Sequence, residues 1–259
     1  MQQTAKQAFW KTFATPQFMQ IISALEEAKK FGRTKMLIGE TGVGKTYAIK
    51  KFAEKMPENT YVITVSDVYL LEDIIMELCD LLGVSRFNSA TGRTMATYSK
   101  KTRLDKVVAR LIEIKESGGK PILIFDEAEN MNISVLKSIK GLYDQLKDHC
   151  SIVLVGTNRL IDRILNTNGK NKGKNRSSLP ELYGRFKAGL RHILPITTEH
   201  FKPFLDTYVS DTALQSFITK TLDSYRDLNT HLEPVMREAQ ERNKPLTATL
   251  YKLYHEINY

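Results

Sequence analysis

Residues 35–52 read KMLIGETGVGKTYAIKKF, and this stretch decides the fold. Residues 35–39 read as a short strand, and 45–55 as a helix. Between them, residues 39–46 obey G-x-x-x-x-G-K-[ST] at every position. Gly39, Gly42 and Gly44 leave the backbone free to wrap an anion, so that the N–H groups of Glu40, Thr41, Val43 and their neighbours point inward. The start of the helix adds positive potential. Lys45 is placed to reach the outer phosphates of a nucleoside triphosphate, and Thr46 to present its hydroxyl to Mg²⁺. The expected ligands are ATP and Mg²⁺.

Outward from this loop the chain alternates strand and helix. Strands are expected at 61–65, 121–125, 152–156 and 190–194, and helices at 71–82, 101–116, 134–147 and 160–165. Such alternation predicts an α/β fold, a parallel sheet with right-handed crossovers. Thr15-Pro16 offers a cap and a first helical proline for a segment before the core, with Phe18, Ile21, Ile22 and Leu25 on one face. Beyond residue 198 only helices are expected, at 201–208, 212–225, 228–241 and 246–257, with Asp211 as a cap and Pro245 as a start. The expected division is an N-terminal helical segment (1–31), a P-loop core (32–197) and a small helical lid (198–259).

Two further stretches carry chemistry. PILIFDEAE (121–129) is an apolar run ending in Asp126, which would hold Mg²⁺ through its water shell. Glu127 follows, placed to polarise an attacking water, which favours hydrolysis over transfer to a substrate hydroxyl. SIVLVGTN (151–158) is another apolar run, ending in Thr157-Asn158. Asn158 fits either a sensor of the terminal phosphate or a cap for the helix that follows.

Net charge is +9, and its distribution is uneven. Residues 83–120 hold nine Lys/Arg against three Asp/Glu, residues 166–192 hold seven against one, and the remainder carries −3. Two basic segments suit a polyanionic partner. In the first, Arg93, Lys100 and Lys101 lead into a helix on which Arg103, Lys106 and Arg110 are expected opposite the apolar face. With no aromatic ladder or recognition-helix pattern beside them, DNA contact through the phosphate backbone is the expected mode. The second segment contains the polar run NTNGKNKGKNRSS (166–178), expected as a loop. Cys79 and Cys150 lie in or beside apolar segments and read as buried free thiols in a reducing compartment. No run of 18 apolar residues reads as a membrane span, and the first residues have no secretory h-region, so the expected setting is the cytoplasm. Phe9, Trp10 and Phe13 fit packing on the lid, covering the adenine or docking on a neighbour equally well.

A P-loop, an aspartate–glutamate pair, a polar residue after the next strand and a helical lid, in this order over residues 33–259, resemble the AAA+ ATPases. DEAEN (126–130) and VGTN (155–158) in a compact chain resemble the DNA-transposition ATPases of the phage Mu B, TnsC and IstB group. The resemblance implies assembly in the ATP state, a transposase as partner, and an arginine finger reaching the neighbouring subunit's ATP. PELYGRF (180–186) occupies the usual place of that finger, making Arg185 the first candidate and Arg176 the second. A lid arginine within G-N-x-R, present in many members, has no counterpart in RDLNTHLEP (226–234), where Asn229 stands and Arg226 is nearby. The same motifs would serve a helicase loader or replication-initiation ATPase, or a slow-hydrolysing switch acting through a protein partner.

Overall fold

In the computed structural model, residues 11–84, 99–165 and 179–257 are described. Five parallel strands form one sheet: β1 (Lys35–Ile38), β2 (Thr60–Thr64), β3 (Ile122–Asp126), β4 (Ser151–Gly156) and β5 (Leu190–His192), in the order β2-β3-β4-β1-β5. The register pairs Ile38 with Gly156 and Thr64 with Asp126, so the C-terminal ends of these strands lie along one end of the sheet. β1, β3 and β4 are buried at every residue, as their unbroken apolar runs require of strands covered on both faces. The outer strands β2 and β5 are only partly buried.

Helices α2 (Lys45–Lys55), α3 (Leu71–Leu81), α4 (Lys100–Glu116), α5 (Ile133–Leu146), α6 (Asn158–Leu165) and α7 (Pro180–Phe186) connect the strands, and α1 (Pro16–Phe31) precedes them. Thr15 caps α1, its Oγ1 accepting from Phe18 N at 3.3 Å. One continuous core joins Met36 and Ile38 of β1 to Phe125, Leu154, Ile75, Val107 and Leu136. Cys79 and Cys150 are both buried and free, and burial pushes the Cys150 thiol up to about 12. Buried Lys35 is held by Glu27, Nζ to Oε1 2.8 Å.

By its contacts the chain divides into two compact units. Gln20–Glu40 and Lys45–Ile193 form the sheet unit. The other contains the helices α8 (Lys202–Tyr208), α9 (Thr212–Thr221), α10 (Tyr225–Glu241) and α11 (Ala248–Tyr254), together with residues 11–19 and Thr41–Gly44. Its core is built on Phe201, Leu214, Leu232, Val235 and Tyr251. Asp211 caps α9 by accepting from Ala213 N and Leu214 N, and also accepts from Ala248 N at the start of α11. α9 ends at Thr221, four residues short of the sequence expectation, and α10 begins at Tyr225 rather than Leu228. The cause is local: Ser224 Oγ accepts from Asp227 N at 3.0 Å and donates to the Asp227 carboxylate, which starts a new helix there. Thr247 caps α11, so Pro245 stands before the helix rather than at its start.

Within this second unit Phe13 packs against Phe204, ring centres 4.3 Å apart, and against Tyr208. Of the three open placements for the N-terminal aromatics, Phe13 takes the helical lid; Phe9 and Trp10 lie outside the described residues. Gln17, fully buried, donates to the Pro195 carbonyl and accepts from the Tyr225 hydroxyl.

Candidate active site

The short buried strand β1 delivers the chain into the 39–46 loop, and α2 begins at Lys45 as the loop closes. Gly42 and Gly44 have φ of +84° and +87°, a left-handed backbone that a side chain would strain. A Cβ at Gly42 would also stand 2.6 Å from Ser224 Cβ, and Arg226 lies on the same side. Gly39 N donates to Gly156 O at 3.0 Å, which moors the first loop residue to the end of β4. Lys45 Nζ donates to the carbonyls of Gly39 and Glu40, both at 2.8 Å, so its ammonium lies over the loop's entry.

Thr46 Oγ1 donates to Asp126 Oδ2 at 2.6 Å, joining the first turn of α2 to the end of β3. Asp126 is 1 % exposed, and its Oδ1 accepts from Glu127 N at 3.0 Å. Burial holds its carboxyl above the ordinary aspartate pKa; the bonds from Thr46 and Glu127 and the charge of Lys45 pull the other way, and Glu129 adds to the rise.

This donor set fits Mg²⁺ carried by a nucleotide. Among the described residues no group of three or more His, Cys, Asp or Glu could hold a metal ion. Mg²⁺ takes oxygen ligands, keeps much of its water and is commonly held by one or two protein oxygens plus phosphates. The Thr46 hydroxyl beside the buried Asp126 carboxylate, where the 39–46 loop runs into α2, offers two such oxygens.

Glu127 is exposed and left-handed, φ +54° and ψ +38°. Such backbone in a non-glycine residue costs on the order of 1 kcal/mol and is kept where the surroundings impose it. Asn130 ties the segment to the end of β2, its Nδ2 donating to Val65 O at 2.9 Å and to Glu127 Oε2 at 3.4 Å. Glu127 therefore faces β2, across a recess of about 370 Å³ lined by Thr64, Val65, Ser66, Asp67, Glu127 and Asn130.

Asn158 opens α6 and is exposed. The polar atom buried at the end of β4 is its neighbour's: Thr157 Oγ1 has no hydrogen-bond partner among the described residues. Glu129 Oε2 is buried and unpartnered in the same way, close against Gly156. No role for Glu129 follows from the sequence pattern; a glycine closing an otherwise apolar strand is the one signal that a side chain must approach there.

Arg185 lies on α7 and binds α5. Its Nε and one terminal nitrogen donate to the two Asp144 oxygens at 2.6 and 3.1 Å, and the other terminal nitrogen donates to Glu181 O at 2.8 Å. The bond to Asp144 raises the guanidinium's pKa further. One turn away Glu181 pairs with Lys140, giving two parallel charge rungs between α5 and α7. Arg176 lies outside the described residues.

The basic candidates divide. Arg93 lies outside the described residues. Lys100 and Lys101 are exposed, paired with Glu72 at 3.7 Å and Asp105 at 3.0 Å; Arg110 is exposed beside Glu113, and Lys106 is half-buried. Arg103 corrects the expectation of a wholly exposed basic face: it is 3 % exposed and donates to Glu72 Oε1 at 2.7 Å and to Met76 Sδ at 3.4 Å. Residues 103, 107 and 111 follow at i, i+4 and i+8, so Arg103 shares the face of buried Val107 and Leu111. It is unavailable to an external phosphate in this arrangement.

Residues 32–164, half of the chain, match the family described as AAA domain. A Haemophilus influenzae protein, the Mu-like prophage FluMu DNA transposition protein B, is 29 % identical over 146 residues, 56 % of this chain and 45 % of that protein. The chain thus matches less than half of that relative's length. Among solved structures, a RuvB mutant from Thermotoga maritima superposes with a TM-score of 0.54 at 15 % identity, covering 93 % of this chain and 68 % of the other, a likeness of fold.

Proposed function

The chain belongs to the AAA domain family, and on that premise we propose that it is a Mg²⁺-dependent ATPase that assembles on DNA in the ATP state and serves a transposase. The observation that supports the enzymatic half is the Thr46–Asp126 bond, which joins a hydroxyl in the first turn of α2 to a buried carboxylate at the end of β3. Residues 39–46 hold the phosphates through backbone N–H groups, and Lys45 exchanges its two carbonyl partners for phosphate oxygens. Thr46 and, through water, Asp126 hold Mg²⁺, which when bound neutralises charge on the phosphates. Glu127 polarises the attacking water. A bond forms from the water oxygen to the terminal phosphorus, the bond to the bridging oxygen breaks with its electron pair going to ADP, and the water proton passes through the carboxylate to solvent. Asn158 senses the terminal phosphate, and Arg185 acts on a neighbouring subunit's ATP.

The DNA half rests on the exposed basic positions and on the likeness to a DNA transposition protein. Lys100, Lys101 and Arg110 are paired only at the surface, where ion pairs contribute about 0–1 kcal/mol, so phosphate can replace their partners. Lys106 and Arg93 extend the set, and Arg103 leaves it. Electron microscopy of the Glu127→Gln variant with ATP and mixed-sequence duplex DNA tests the assembly: protein rings or filaments around DNA are expected with ATP and absent without it. Isolated protomers on DNA under both conditions would contradict it.

A further inference from the structure

DEAEN contains two glutamates, and they face opposite ways from the end of β3. Glu127 is turned toward the edge strand β2. Glu129 lies against Gly156, the last residue of β4. In the sheet, β4 stands between β3 and β1, and adjacent strands are roughly 4.8 Å apart. Gly156 is also the residue whose carbonyl receives Gly39 N, the first amide of the phosphate loop. Glu129 is therefore the acid on the phosphate side of β3.

Three observations mark this position as built for a ligand. Glu129 Oε2 is buried with no partner among the described residues, although an unpaired buried polar group is costly. Thr157 Oγ1, on the residue after Gly156, is orphaned in the same way. Gly156 supplies the space: a Cβ there would stand 2.4 Å from Glu129 Oε2, so the carboxylate would have to move from its present place. Its backbone is not left-handed, so what glycine contributes here is room for the carboxylate.

We infer that Glu129, with Thr157, is a second water-orienting element of the ATPase site, acting from the β4 side while Glu127 acts from the β2 side. The carboxylate accepts a hydrogen bond from the attacking water, and the threonine hydroxyl fixes the same water or the phosphate oxygen beside it. The bonds made and broken are those of the hydrolysis proposed above, on which this role rests.

The test uses the full chain and compares wild type with Glu129→Gln, Thr157→Val and Gly156→Ala. Its readouts are melting temperature, ATP affinity by direct titration, and trapping of ADP with fluoroaluminate, which mimics the terminal phosphate in transfer. Thr157→Val deletes an orphaned buried hydroxyl, so it should melt no lower than wild type, whereas a structural hydroxyl would leave a less stable protein. All three variants should keep ATP affinity within about threefold and lose affinity for the fluoroaluminate complex by roughly tenfold or more, the scale of a positioned acid–base group. Gly156→Ala retains the Glu129 charge and displaces it, which separates position from charge. If wild type traps the complex and folded Glu129→Gln and Gly156→Ala trap it equally well, the role assigned to Glu129 is wrong while hydrolysis stands. If wild type itself neither traps the complex nor hydrolyses ATP, the function proposed above falls, and this role with it.

Discussion

Asp126 is where structure and chemistry make opposing demands. Its carboxyl is buried and held above the ordinary aspartate pKa, so the folded protein binds that proton more tightly than the unfolded chain does. As pH rises from the ordinary aspartate value through the folded value, the charged carboxylate costs stability, and the cost is complete above it. Asp126→Asn should therefore melt higher than wild type at neutral pH, with the gap closing as the buffer is acidified below the ordinary aspartate range. The same variant should lose Mg²⁺-dependent turnover. A lower melting temperature at neutral pH would mean that the bonds from Thr46 and Glu127 outweigh burial. The position of the 39–46 loop after β1 and of Asp126 at the end of β3 was legible because each follows from short-range spacing at the end of an apolar run. Glu129 was not, since its surroundings depend on a missing Cβ on another strand, 27 residues away by number.

At the scale of elements, the central strands were legible for the same reason: an unbroken apolar run covered on both faces has few alternatives. Helix ends in the second unit were less so, because the Ser224–Asp227 pair sits inside a stretch whose apolar spacing continues across it. On α4 the error was one of phase. Arg103 is three residues from Lys106 but four from Val107 and eight from Leu111, and its long apolar stem tolerates the buried face while Glu72 receives the head. This separates the basic positions by experiment. Lys101→Ala and Arg110→Ala should each flatten the slope of log K against log[salt] for duplex DNA by about 0.9 if each contacts one phosphate. Arg103→Met should leave that slope unchanged and cost little stability, since its partner Glu72 is half exposed and an unsatisfied Nε is removed with it. A slope change for Arg103→Met equal to that of Lys101→Ala would return Arg103 to the DNA face.

At the scale of the whole molecule, the proposal makes catalysis a property of the assembly. Arg185 is engaged by Asp144 within its own chain, so acting on a neighbour requires it to exchange that carboxylate for phosphate. Arg185→Ala should keep ATP binding and lose turnover by roughly 10³-fold or more, as expected for removal of an arginine finger. Lys45→Ala should lose ATP binding yet still donate Arg185. Mixing the two variants should then recover part of the activity that neither has alone. No recovery, with mixed assemblies verified by cross-linking, would confine Arg185 to its bond with Asp144. The most direct test of DNA-stimulated ATP hydrolysis is phosphate release from Mg·ATP by the wild-type chain, with and without mixed-sequence duplex DNA, beside Glu127→Gln. Wild type should release phosphate, and faster with DNA, while the variant should bind ATP without release. ATP binding by wild type with no phosphate release, even when the protein is shown to be bound to DNA, would contradict the proposed hydrolysis.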